Sequence, residues 1–365
     1  SDMRRILIKT LLIFLLLNLL LAAGNPLPAL GRLSLYNHLF PGRPRFPFGE
    51  NPQQAYNFSL YSLEAMFASH ELSGLDKAAD EYRLLLLGDS SVWGTLLRPE
   101  ETLAGQINAL RLKTCDGRQV RAYNLGYPTL SVTKDLLILD EARRYQPDAV
   151  WWLVTLEALP VEKQLASPLA ANNPSRLEAL AQATGVVDGA DPAIIRPDFW
   201  GRTLIGLRRP LADLLRLQLY GAMWSATGID QFYPAEYPAA ALDLEADEGF
   251  HGRLPPFLDG NNLALDVLDA GAAMLEDVPL TVINEPILIS SGQNSNLRYN
   301  FFYPRWAYDQ YRQLLSARAG SGQWTLVDRW DLLPPAEFTN SAIHLTPAGS
   351  ALLAHSLAGL LTCNK

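Results

Sequence analysis

Two stretches of this 365-residue chain hold residues that can act on one another as nucleophile and base. The first, residues 84–94, reads Leu-Leu-Leu-Leu-Gly-Asp-Ser-Ser-Val-Trp-Gly, an apolar run that ends in Gly88-Asp89-Ser90. The second, residues 338–347, reads Phe-Thr-Asn-Ser-Ala-Ile-His-Leu-Thr-Pro and carries His344 just before a closing helix. A serine becomes a nucleophile when an adjacent base takes its proton, and its own N–H can help hold an oxyanion. His344 is the base expected for Ser90. Gly-Asp-Ser by itself also makes ordinary turns, so the elements on either side decide its meaning.

Those elements alternate. Apolar or mixed strand patterns fall at 83–87, 119–125, 149–155, 280–284 and 324–327. Helical spacing falls at 100–110, 132–144, 263–275, 308–317 and 347–361. Strands alternating with helices imply an α/β fold with a mostly parallel sheet covered on both faces. Such sheets build their sites at the carboxyl ends of the strands. Ser90 follows the first strand and His344 the last, so both are expected on that edge. Thr346 is a natural helix N-cap, and Pro347 suits the first helical position.

In these features the chain resembles the SGNH/GDSL hydrolase superfamily, over roughly residues 80–160 and 262–363. The resemblance implies a flavodoxin-like three-layer αβα fold, with Ser90 as nucleophile and His344 as general base. It also implies oxyanion donors from Ser90 and from Gly126, the latter within Asn124-Leu125-Gly126-Tyr127-Pro128. The sequence departs from the pattern twice. The family's Gly-x-Asn-Asp block is replaced by Val154-Thr155-Leu156-Glu157-Ala158, which has no Asn. Losing one oxyanion donor costs about 3–4 kcal/mol in other hydrolases. Another group would have to substitute, and Asn284, at the end of the fourth strand, is one candidate. The family's Asp, three residues before the His, is here Ser341, and Asn340 stands four before. Asn340 can orient the imidazole but stabilises imidazolium less than a carboxylate does. Asp328 and Glu337 are the carboxylate alternatives.

The polar loop 290–296 and Arg298 lie at the same edge. Arg298 is a candidate partner for Glu285 or for a substrate group, against the alternative of a solvated loop. His70 is expected to be structural.

The N-terminus has Arg4, Arg5 and Lys9 entering an apolar run that continues to Ala23 with only Asn18 interrupting it. Residues 6–23 are about long enough to cross a bilayer. The basic flank would leave the remainder outside the cytoplasm. The alternative is a cleaved signal peptide with Leu-Ala-Ala-Gly at its end, and secretion. Ser1-Asp2 before Met3 reads as a cloning remnant.

The organisation expected is an anchor or signal segment at 1–24 and a Pro/aromatic-rich connector at 25–80. The α/β domain follows in two parts, 81–158 and 262–365, around an inserted helical or lid region at 159–261. Within the insertion Leu204, Leu207, Leu211, Leu214 and Leu215 form an apolar stripe. Pro210 is expected to kink or split that helix. The stripe either packs on the sheet domain or forms a lid or membrane-facing surface with Trp200, Tyr220 and Trp224. An exported chain permits a Cys115–Cys363 disulfide; two free buried thiols are the alternative.

The net charge of −8 argues against non-specific nucleic-acid binding. No Cys/His cluster has metal spacing and no glycine loop cradles a phosphate after the first strand, so no metal or cofactor is expected. The function expected is serine-dependent ester hydrolysis or acyl transfer on an envelope or extracellular saccharide or lipid, through a Ser90 acyl-enzyme. Membrane-anchored members of the superfamily resemble partners of multi-pass O-acyltransferases, which makes such a protein a candidate partner. A catalytically weak or silent binding subunit anchored in the membrane is the alternative.

Overall fold

The computed structural model describes residues 2–43, 62–186, 191–192, 194–227 and 237–363. Much of the expected connector, residues 44–61, and the Tyr/Pro-rich stretch 228–236 lie outside the described residues. The chain begins with the long apolar helix α1 (Asp2–Gly24) and the short helices α2 (Leu27–Gly31) and α3 (Leu35–Leu39). Helices α4 (Leu63–Ala68) and α5 (Glu71–Gly74) lead into strand β1 (Glu81–Leu87).

After β1 come α6 (Ser90–Trp93), α7 (Leu103–Ala109), β2 (Gln119–Asn124), α8 (Val132–Ala142) and β3 (Ala149–Val154). The insertion holds α9 (Pro168–Ala171), α10 (Pro174–Thr184) and α11 (Arg208–Thr227). The sheet then resumes with α12 (Asp266–Leu275), β4 (Leu280–Asn284), α13 (Arg305–Ser321), β5 (Thr325–Asp328) and α14 (Pro347–Ala358).

All four strand pairings are parallel and the order is β2-β1-β3-β4-β5, the flavodoxin-like arrangement. Alternate residues of β1 serve opposite faces, which explains its unbroken apolar run. Leu84 and Leu86 pack with Leu103 and Ile107 of α7 and with Leu353 and Leu357 of α14. Leu85 and Leu87 pack with Leu136 and Leu139 of α8 and Leu268 of α12. The register sets Val154, Asn284 and Asp328 side by side, so β3, β4 and β5 end level with one another.

Cys115, just beyond α7, is disulfide-bonded to Cys363, just beyond α14, with the two Cα atoms 5.3 Å apart. Pro210 neither kinks nor splits its helix. It lies in the first turn of α11, where a missing N–H leaves no helical bond unmade. The stripe divides: Leu207 is buried, while Leu204 and Leu215 are exposed.

Candidate active site

Ser90 opens α6 at the carboxyl end of β1. Asp89 caps that helix through Oδ1, which accepts from the Ser91 N–H at 2.8 Å. Among the described residues no group accepts from the Ser90 N–H, which leaves that donor available. From the far end of the chain, the loop before α14 brings in His344. Its Nε2 is 2.8 Å from Ser90 Oγ, and its Nδ1 is 2.8 Å from Asn340 Oδ1.

The amide oxygen can only accept, so Nδ1 carries the proton and Nε2 is free to accept from the serine hydroxyl. Burial lowers the His344 pKa from 6.5 to about 4, so the imidazole is neutral at physiological pH. Neutral Asn340 offers no charge to oppose that shift. The loop is tied down by a backbone bond from the Thr339 N–H to the His344 carbonyl.

The other sequence candidates take different places. The Gly126 N–H is donated to Asn124 Oδ1 at 2.9 Å, an Asx turn in place of the expected oxyanion role. Glycine is needed there because a Cβ would stand 2.2 Å from the Trp93 nitrogen. Asn284 is no substitute donor. Fully buried, it gives its amide hydrogen to Asp328 Oδ1 and accepts from the Tyr308 and Tyr311 hydroxyls at 3.2 and 3.0 Å.

Asp328 is held by Arg312 and does not bond His344. Glu337 accepts from the Thr346 hydroxyl at the start of α14. Arg298 spends its guanidinium on the carbonyls of Asn300, Asp247 and Phe301, fastening the insertion to the 298–301 loop rather than pairing with Glu285. The Asn284 and Asp328 partners and the Asp247 carbonyl on Arg298 come from other elements, which sequence position does not reveal. His70 is structural: its Nδ1 accepts from the Leu72 N–H, and its Nε2 bonds the Asn124 carbonyl.

Two clusters had no signal in the sequence. Beneath the serine, Lys134 is fully buried and donates to the carbonyls of Gly88 and Tyr127, and it pairs with Asp135 at 2.5 Å. Asp89 and Glu285 share this pocket, and Ser91 Oγ donates to Glu285. Burial, then repulsion from Asp89, raises Glu285 well above the usual carboxylate range. Burial likewise raises Asp135 to about 6. At the end of β3, where the sequence lacks the family's Asn, Glu157 pairs with Lys163 at 2.5 Å and with His251 of the insertion at 2.9 Å. Among the described residues no group of His, Cys, Asp and Glu is placed to hold a metal ion.

A strand order of 2-1-3-4-5 with a Ser after β1 and its His partner before the final helix decides the architecture. The chain has the SGNH/GDSL hydrolase fold.

No protein-family model matches the chain, and neither does any curated protein sequence. Among solved structures it is similar to Est24, a carbohydrate acetylesterase from Sinorhizobium meliloti, at 14% identity and a TM-score of 0.35, over 76% of this chain and 96% of that one. It is also similar to a putative G-D-S-L lipolytic protein from Desulfitobacterium hafniense, at 9% identity and a TM-score of 0.34, over 77% and 99%. A third is the aryl esterase of M. smegmatis, at 14% identity and a TM-score of 0.32, over 76% and 97%. The SGNH architecture here rests on strand order and residue placement, not on these overlaps.

Proposed function

We propose that the chain is a serine esterase or acyltransferase of the SGNH type, anchored by α1 with its α/β domain outside the cytoplasm. The observation that carries this reading is the chain of two 2.8 Å contacts, Ser90 Oγ to His344 Nε2 and His344 Nδ1 to Asn340 Oδ1. Ser90 Oγ attacks the ester carbonyl as His344 Nε2 takes its proton. The tetrahedral intermediate collapses to an acyl-Ser90, and the imidazolium gives the proton to the leaving alcohol. A water molecule, or a sugar or polyol hydroxyl, then attacks the acyl-enzyme with His344 again as base. The Ser90 N–H is the available donor to the oxyanion, and an acyl ester of an envelope saccharide or lipid is the substrate class.

The anchor rests on α1, 23 residues of mean hydropathy 2.6 over its most apolar window and exposed along most of its length. The basic residues Arg4, Arg5 and Lys9 at its start favour a cytoplasmic N-terminus. Hydrolysis of p-nitrophenyl acetate by the purified full chain tests the chemistry. Ser90→Ala should lower kcat/KM by at least about a thousandfold. An unchanged rate in that variant sinks the nucleophile assignment. Retention of the chain in carbonate-washed membranes tests the anchor.

A further inference from the structure

We infer that residues 199–207 of the insertion form a second membrane-embedded element, packed against α1 within the outer leaflet of the bilayer. This rests on α1 being a membrane span. Asn18 is the one polar residue between Leu11 and Ala23 of α1, and its Oδ1 accepts from the Leu204 N–H at 2.9 Å. Asn18 precedes the end of the helix by six residues, which at 1.5 Å per residue is about 9 Å. Half of a hydrocarbon core measures about 15 Å. The contact therefore lies below the membrane surface and brings the loop to that depth.

Arg202, half-buried, is the one charged residue of 199–207; the rest of the loop suits hydrocarbon. Phe199, Trp200, Leu204 and Ile205 are exposed, Trp200 at 72% and Ile205 at 61%. They extend the apolar surface that α1 presents through Leu16, Leu17, Leu19 and Leu20. A loop in lipid must satisfy its own backbone, and this one largely does. The N–H groups of Arg202, Thr203 and Leu207 bond to carbonyls within residues 198–203. Those of Gly201 and Gly206 bond to the side chains of Asp198 and Thr203. The turn closes tightly, since a Cβ on Gly206 would stand 2.2 Å from the Gly201 carbonyl oxygen.

Asn18 in turn gives its amide hydrogen to the Phe14 carbonyl, so neither half of its side chain is left unpaired in lipid. Arg208 and Arg209 follow at once in sequence and are exposed, side chains of the kind that reach headgroup phosphates from a membrane-embedded segment. The occupant this surface fits is lipid. Two membrane elements would then fix how the α/β domain sits on the bilayer.

The test uses the full chain in phospholipid nanodiscs with single spin labels on introduced cysteines. The native pair is disulfide-bonded and does not react. Trp200→Cys and Ile205→Cys report on the loop, Leu16→Cys on α1, and the exposed Leu254→Cys on the aqueous face. Labels at 200 and 205 should match the label at 16, several-fold more accessible to oxygen than to a water-soluble nickel chelate, with the reverse at 254. Labels at 200 and 205 that match 254, while 16 stays in lipid, overturn the inference and leave the anchor standing. Labels there shielded from both reagents mean that a protein surface covers the loop, and they overturn it too. A label at 16 that is open to nickel overturns the anchor and the inference together.

Discussion

Asn340 Oδ1 accepts from His344 Nδ1 at 2.8 Å, in the place where an SGNH hydrolase ordinarily holds a carboxylate. The amide performs half of the carboxylate's task. It fixes the tautomer and aims Nε2 at Ser90, but it brings no negative charge to stabilise the imidazolium that the proposed attack by Ser90 would form. With nothing to offset burial, the His344 pKa falls to about 4.

The first consequence is a pH dependence. On the proposed mechanism hydrolysis requires neutral His344, so the acid limb of kcat/KM for p-nitrophenyl acetate should lie near pH 4, well below the 6.5 of an unperturbed histidine. Asn340→Asp adds a negative charge that favours imidazolium. The limb should then move upward in pH, and the plateau rate should rise by about tenfold or more. An unshifted limb in Asn340→Asp would show that this contact does not tune the base.

A second consequence concerns Lys134, the cation paired with Asp135 in the buried cluster beneath Ser90. It holds the Gly88 and Tyr127 carbonyls together and faces Asp135. Lys134→Met keeps the bulk and removes the charge, leaving Asp135 buried without its cation. The cost should be about 3–5 kcal/mol, read from the urea midpoint at pH 7.5. A change under 1 kcal/mol would mean that Asp135 takes up a proton cheaply.

The disulfide supplies a third. Cys115 and Cys363 are 248 residues apart, so the bond closes most of the α/β domain into one loop and limits the unfolded chain. Reduction, or the double variant Cys115→Ser with Cys363→Ser, should cost about 2–4 kcal/mol in denaturant unfolding. It should leave the Ser90–His344 pair working, since the bond joins the far ends of α7 and α14. Loss of ester hydrolysis with unchanged stability would contradict that division.

Most of the α/β domain was legible in the sequence because its signals are local. Leu84–Leu87 is apolar on both faces and is bounded by Gly88, so it reads as a buried strand from its own residues. Thr346 and Pro347 mark a helix start within two positions. Strand–helix alternation implies a parallel sheet, and a parallel sheet places Ser90 and His344 on one edge. The same reasoning brings Cys115 and Cys363 to one side of the sheet and so permitted a disulfide, while the choice between a bond and two free thiols came from the structure.

What only the tertiary structure decided was which polar group meets which. Asn284 and Asp328 lie side by side at the ends of β4 and β5, yet they spend their hydrogen bonds on each other, on Tyr308 and Tyr311, and on Arg312. Arg298 reaches the Asp247 carbonyl of the insertion. Lys134, His251 and the contact between Asn18 and Leu204 had no signature at all. Burial patterns repeat every two or four residues and can be read along the chain. A hydrogen bond is directional and lasts over about 3 Å, so its partner is settled only when segments distant in sequence have docked.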